Sequence, residues 1–132
     1  MVLVDTSALI DFLKGVKNVS TDKLNEIIEL QIPFGITGHI YQELLQGTAN
    51  QHDFNALKKY LDTLDFYRLK DEKESYASAA YIYFKCRKTG VMIRSSIDCV
   101  IAQIAIENDL KLLHNDKDFE SIKTVFPKLM FL

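Results

Sequence analysis

The residues of this chain best suited to chemistry are acids: Asp5, Glu43, Asp98 and Asp116, with Asp118 two positions beyond the last. Each has an ordinary explanation alone. Asp5 suits the start of a helix, and Asp98 complements the positive end of a helix dipole. Glu43 suits a solvated helix face, and Asp116 and Asp118 suit a turn or a cap. The joint pattern carries more weight. Carboxylates a few ångströms apart repel strongly at low dielectric, and without compensation some take up protons. A hard divalent cation compensates them through oxygen ligands; Mg²⁺ takes a few carboxylates and keeps several waters. Sites of this kind activate water against a phosphodiester and offset charge on the leaving oxygen.

For these acids to meet, the elements around them must deliver them to one place. Met1–Asp5 is a short apolar run ending in an acid and reads as a buried strand. Thr6 and Ser7 suit the cap of a helix from Ala8 to about Lys14, stopped by Gly15. Ser20 to about Leu30 reads as a second helix and Pro33–Ile36 as a second strand. Thr37–Gln46 reads as a helix carrying Glu43 and ended by Gly47. Phe54, Leu57, Leu61 and Leu64 recur at helical spacing, and Phe66–Leu69 suits a third strand. A longer helix is expected from Asp71 to about Lys88, ending near Gly90. An apolar helix from Ser96 to about Asn108 places Asp98 in its first turn. Leu110–Leu113 and Leu129–Leu132 complete the strands. Strands alternating with helices predict one α/β domain over residues 1–132, a parallel sheet of four to five strands with helices on both faces. Such sheets place ligands at the carboxyl ends of their strands, where Asp5 and Asp116 fall.

The bulk properties bound the reading. A chain of 132 residues, 48% hydrophobic and 26% charged, suits one soluble core. No apolar run is long enough to span a membrane, and the early first strand leaves no room for a signal peptide; a cytoplasmic protein is expected. Cys86 and Cys99 read as reduced core thiols rather than as a disulfide or a zinc site. The net charge of −2 and a pI of about 5.9 are not those of a protein with a broad basic nucleic-acid face. Attraction to a polyanion would have to be local or supplied by metal.

Four segments resemble motifs of PIN domains, and of VapC-type toxins in particular: V-D-T-S-A-L-I (Val4–Ile10), Y-Q-E-L-L-Q-G (Tyr41–Gly47), S-I-D-C-V-I-A-Q-I-A (Ser96–Ala105) and L-L-H-N-D-K-D-F (Leu112–Phe119). The resemblance spans essentially the whole chain; its first and last segments are the most specific. It implies a ribonuclease that hydrolyses RNA phosphodiester bonds with Mg²⁺ or Mn²⁺. Asp5, Glu43, Asp98 and Asp116 match the acidic quartet; Asp5, Asp98 and Asp116 match metal ligands, with Glu43 holding a water or a second metal. Asp118 matches a less constant outer acid, and Thr6 and Ser7 match hydroxyls that support the first Asp or touch phosphate. His114 departs from the family, which usually has Thr or Ser there. A structural histidine is the commoner outcome, and a phosphate contact or proton shuttle the alternative. The resemblance also implies a homodimer and a small cognate antitoxin lying along the acidic groove.

Other metal-using α/β folds fit less well. A receiver domain would show paired acids after strand one, and a haloacid-dehalogenase-type phosphatase would have Asp at position 7, where Ser7 stands. No P-loop and no G-x-S-x-G is present. A PIN module that binds RNA or protein without cutting, and a DNA-acting relative, are the remaining alternatives. Two further features lie outside the quartet. Tyr76, Tyr81, Tyr83 and Phe84 are expected mostly in the core, with partner contact for the rest. Lys85, Arg87, Lys88 and Arg94 form the densest basic stretch, read as a solvated helix end or as an RNA backbone contact.

Overall fold

The computed structural model describes all residues, Met1–Leu132. Its elements run β1 (Val2–Val4), α1 (Thr6–Leu13), α2 (Val19–Glu29), β2 (Phe34–Thr37), α3 (Gly38–Gln46), α4 (Gln51–Leu61), β3 (Asp65–Tyr67), α5 (Glu74–Lys88), α6 (Ser96–Glu107), β4 (Lys111–Leu113), α7 (Lys117–Val125) and β5 (Met130–Phe131). The five strands are all parallel, in the order β3-β2-β1-β4-β5. β1 is central, and its three residues are buried, as a strand covered on both faces requires. Leu3 pairs with Gly35 on one side and Leu112 on the other.

The strand order fixes where a site belongs. From β1 the chain steps outward to β2 and β3; from β4 it steps the opposite way to β5. The direction reverses between β1 and β4, and the crevice of an open α/β sheet lies at that reversal, beyond the carboxyl ends. Right-handed crossovers put α1–α4 on one face and α5–α7 on the other. Helix packing agrees: α1 meets α2 and α3, whereas α5 meets α6 and α7, which also meet each other. Leu9, Leu24 and Ile40 bury the first face; Ile82, Ile101, Phe119 and Ile122 bury the second.

Local chemistry accounts for several boundaries. Asp5, not Thr6 or Ser7, is the N-cap of α1: its carboxylate accepts the Ser7 N–H. Thr37 caps α3 by accepting from the Ile40 amide. Gly90, after α5, adopts φ +82°, a conformation that costs other residues more. Gly35 has a different reason: a Cβ there would sit 2.4 Å from the Asp65 carbonyl oxygen and 2.7 Å from the Tyr67 ring. Both cysteines are free and buried.

Two expectations are corrected. The α7 helix was not anticipated; it fills the crossover between the fourth and fifth strands. The aromatic residues of α5 are not core: Tyr76, Tyr81, Tyr83 and Phe84 are all exposed, and Ser75, Ala79, Ile82 and Cys86 face inward instead.

Candidate metal centre

Asp5 follows the last residue of β1, and its backbone N–H donates to the Leu113 carbonyl of β4 at 2.9 Å. This bond holds the two strand ends together across the reversal. Asp98 enters from the first turn of α6, Asp116 and Asp118 from the start of α7, and Glu43 from α3. Oxygens of Asp98, Asp116 and Asp118 lie within 4.8 Å of one another. Asp5, which is buried, and Glu43 lie outside this trio but close enough that their charges act on Asp98. The tight group therefore includes Asp118, expected as an outer acid, and sets Asp5 beside it.

The acids differ in how the protein holds them. Asp5 Oδ2 accepts the Ser7 N–H at 3.0 Å and the Ser7 hydroxyl at 2.7 Å. The Ser7 hydroxyl oxygen in turn accepts the Asn115 N–H at 2.9 Å, which ties the loop after β4 to β1. Asn115 also donates to Asp11, as does Asn18. The Thr6 hydroxyl takes no part; it is buried without a partner. Asp116 caps α7 by accepting the Asp118 N–H. Asp118 is buried and accepts the Arg94 N–H at 3.1 Å. The Arg94 guanidinium donates through Nε to Asp118 at 3.3 Å and through Nη2 to Asp116 at 3.0 Å. These contacts raise the Arg94 pKa further, Asp118 contributing most. By contrast, Asp98 and Glu43 receive no hydrogen bond that would favour their charged forms.

Electrostatics follow from that difference. Burial, and then the charges of Asp116 and Asp5, push the Asp98 carboxyl up to about 7. Burial and the Asp5 charge raise Glu43. Burial also raises Asp5, against the lowering effect of Ser7. An oxygen-only donor set with surplus negative charge fits a hard divalent cation, and donor-free carboxylates are the groups such an ion would satisfy.

His114 is a structural residue in this arrangement. Its side chain is only 7% exposed and packs 4.4 Å from the Phe131 ring centroid and 5.2 Å from that of Phe119. Its Nδ1 accepts the Asp116 N–H at 3.1 Å, which fixes the backbone that carries the acid. Burial lowers its pKa, keeping Nδ1 free to accept. A histidine so enclosed is poorly placed to touch a phosphate. Arg94 is the site residue that the sequence reading placed elsewhere, as one of a run of surface cations; no local spacing signals a contact made across 22 and 24 residues.

A family model described as the PIN domain matches residues 2–125, and the chain belongs to the PIN domain family. Among curated proteins it is similar to "VapC ribonuclease Mb1587" of Mycobacterium bovis and "Ribonuclease VapC11" of Mycobacterium tuberculosis. Each is 26% identical over 126 residues, spanning 95% of this chain and 93% of the relative. Among solved structures, VapBC2 from Rickettsia felis, bound to a DNA fragment from its promoter, superposes with a TM-score of 0.73 at 19% identity, over 100% of this chain and 98% of that one. VapBC-1 from nontypeable Haemophilus influenzae gives 0.72 at 19% identity over 100% and 97%. FitAcB from Neisseria gonorrhoeae gives 0.70 at 18% over the same shares. These structures share the fold.

Proposed function

We propose that the chain, as one PIN domain over residues 1–132, is an endoribonuclease dependent on Mg²⁺ or Mn²⁺ and the toxin of a VapBC-type toxin–antitoxin pair. The observation that carries this reading is the trio Asp98, Asp116 and Asp118 within 4.8 Å at the reversal between β1 and β4. The ribonuclease names of the curated relatives supply the substrate class.

In this reading Asp5, Asp98 and Asp116 hold the cation and Glu43 completes the acidic quartet. Once bound, the ion supplies a Lewis acid that activates water and offsets charge on the departing oxygen. The protein's part is positional. Ser7 aims Asp5, the His114 ring and the Asp118 amide fix Asp116, and Asp118 holds Arg94 at the edge of the site. Asp98 is the group most relieved by a cation, because burial and its acidic neighbours already disfavour its charge.

The partners follow the same reading: single-stranded or looped RNA as substrate, a small cognate antitoxin over the acidic edge, and a second copy of the chain. The exposed Tyr81–Phe84 pair of α5 supports the homodimer. No helix is long and apolar enough to cross a membrane, in keeping with action in the cytoplasm.

The test is end-mapping of total bacterial RNA incubated with the protein and Mg²⁺, Mn²⁺ or chelator, beside Asp5→Asn and a DNA of matched sequence. Discrete new RNA ends that require metal and Asp5 are expected. Cleavage of DNA alone would reassign the substrate. No new ends, with metal binding demonstrated, would mark a non-cleaving PIN module.

A further inference from the structure

Beside the acidic centre, between the end of α5 and the start of α6, lies a hollow of about 410 Å³. Its walls are Tyr83 and Arg87 from α5 and Met92, Ile93 and Arg94 from the connecting loop. Arg94 belongs to both places. Its Nε and Nη2 serve Asp118 and Asp116, whereas Nη1 has no partner and the side chain is 71% exposed. A guanidinium has five N–H donors, so this one reaches the acids and still offers an edge to the hollow. Arg87 pairs with no carboxylate; its guanidinium carbon lies 6.0 Å from the Tyr83 ring centroid. Tyr83 is 37% exposed and Met92 85% exposed.

Two guanidinium groups with free donors, an exposed aromatic ring and a flexible apolar arm are the components of a single-strand nucleic-acid subsite. Cations track the backbone and a ring accepts a base by stacking. The volume falls within the usual ligand-pocket range of about 300–1,000 Å³. The place is also informative: on an acidic chain, this cationic hollow adjoins the carboxylates. A polyanion approaching them would otherwise meet repulsion.

We infer that the Tyr83–Arg87–Arg94 hollow binds the nucleotide next to the scissile phosphodiester of single-stranded RNA, its phosphate on Arg87 and Arg94 and its base against Tyr83 and Met92. The inference rests on the ribonuclease reading and adds to it the path the strand takes away from the acids. It also gives part of the basic stretch a role that a solvated helix end lacks.

Binding is measured without turnover, by fluorescence anisotropy of a fluorescein-labelled ten-nucleotide single-stranded RNA of mixed sequence, in chelator and at several salt concentrations. Arg87→Ala is expected to weaken binding about tenfold and to reduce the salt slope by about 0.7, the value for one phosphate contact on a single strand. Arg87→Lys should restore the slope. Tyr83→Ala should weaken binding about tenfold with the slope unchanged, the mark of lost stacking. Lys59→Ala, on the distant α4, should change neither. Circular dichroism verifies that each variant is folded. Wild-type affinity and slope in both Arg87→Ala and Tyr83→Ala would overturn the inference, as would failure of the wild type to bind RNA. Loss of the ribonuclease reading looks different: the RNA binds, with the same dependence on Arg87 and Tyr83, but metal produces no new ends.

Discussion

The two sides of the acidic centre are built differently. Asp5, Asp116 and Asp118 are held by the protein: Ser7 donates twice to the first, and the start of α7 and Arg94 secure the other two. Asp98 and Glu43 have no such donors. The first group has fixed geometry before any ion arrives. The second carries the electrostatic cost of the site, seen in the Asp98 carboxyl pushed up to about 7. In the proposed reading, rigid acids would set where a cation sits, and donor-free acids would give the cation its advantage over water and protons.

This contrast can be broken in order of effect. Asp98→Asn should reduce metal-dependent RNA cleavage by about a thousandfold, the consequence of losing several kcal/mol of charge stabilisation. End-mapping against wild type measures it, and full activity would remove Asp98 from the site. The same substitution should stabilise the metal-free fold. The folded-state pKa of Asp98 lies above its ordinary value of 3.8, at about 7. Folded protein therefore binds that proton more tightly than unfolded protein, and stability falls as pH rises between about 4 and 7. Asn has no such loss. Allowing for solvent screening, Asp98→Asn should raise Tm at pH 8 by about 5 °C, and by nothing below pH 4.

Ser7→Ala tests the held side. It removes the hydroxyl's hydrogen bond to Asp5 and the acceptor for the Asn115 amide, while the backbone N–H of residue 7 still donates to Asp5. A loss of about 1–2 kcal/mol in urea melts is expected, with cleavage partly recovered at higher metal concentration because Asp5 is displaced rather than deleted. Thr6→Val is the smallest change. The Thr6 hydroxyl is buried without a partner, so its removal should be neutral or slightly stabilising in metal-free melts. A marked loss there would mean that the hydroxyl has a role the contacts do not show.

The site was more legible in the sequence than its surroundings. Asp5 and Asp116 end or follow short apolar runs, and the strand-end rule places them together. The α7 helix escaped because only Phe119 and Ile122 of its apolar residues are deeply buried, too few to establish a helical period. In α5 the bulky aromatics Tyr76, Tyr81, Tyr83 and Phe84 suit a core by type, yet all four are exposed. Ser75, Ala79, Ile82 and Cys86 recur at intervals of four, three and four, and these modest residues turn inward. The third strand, expected over Phe66–Leu69, runs over Asp65–Tyr67; it is an edge strand with Asp65 and Phe66 exposed, so no burial pattern marks its limits. Arg94 could not be placed because its partners are brought to it only by the packing of α6 against α7.

The most direct test of the account is Mn²⁺ binding, read by electron paramagnetic resonance without RNA. Wild type, Asp98→Asn and Thr6→Val would be titrated at pH 8. Mn²⁺ should bind wild type and Thr6→Val alike, and Asp98→Asn should weaken it by more than about tenfold, as removal of one partner from a charged contact implies. Equal Mn²⁺ affinity in all three proteins would contradict it, because the donor-free acid would then not be what the cation satisfies.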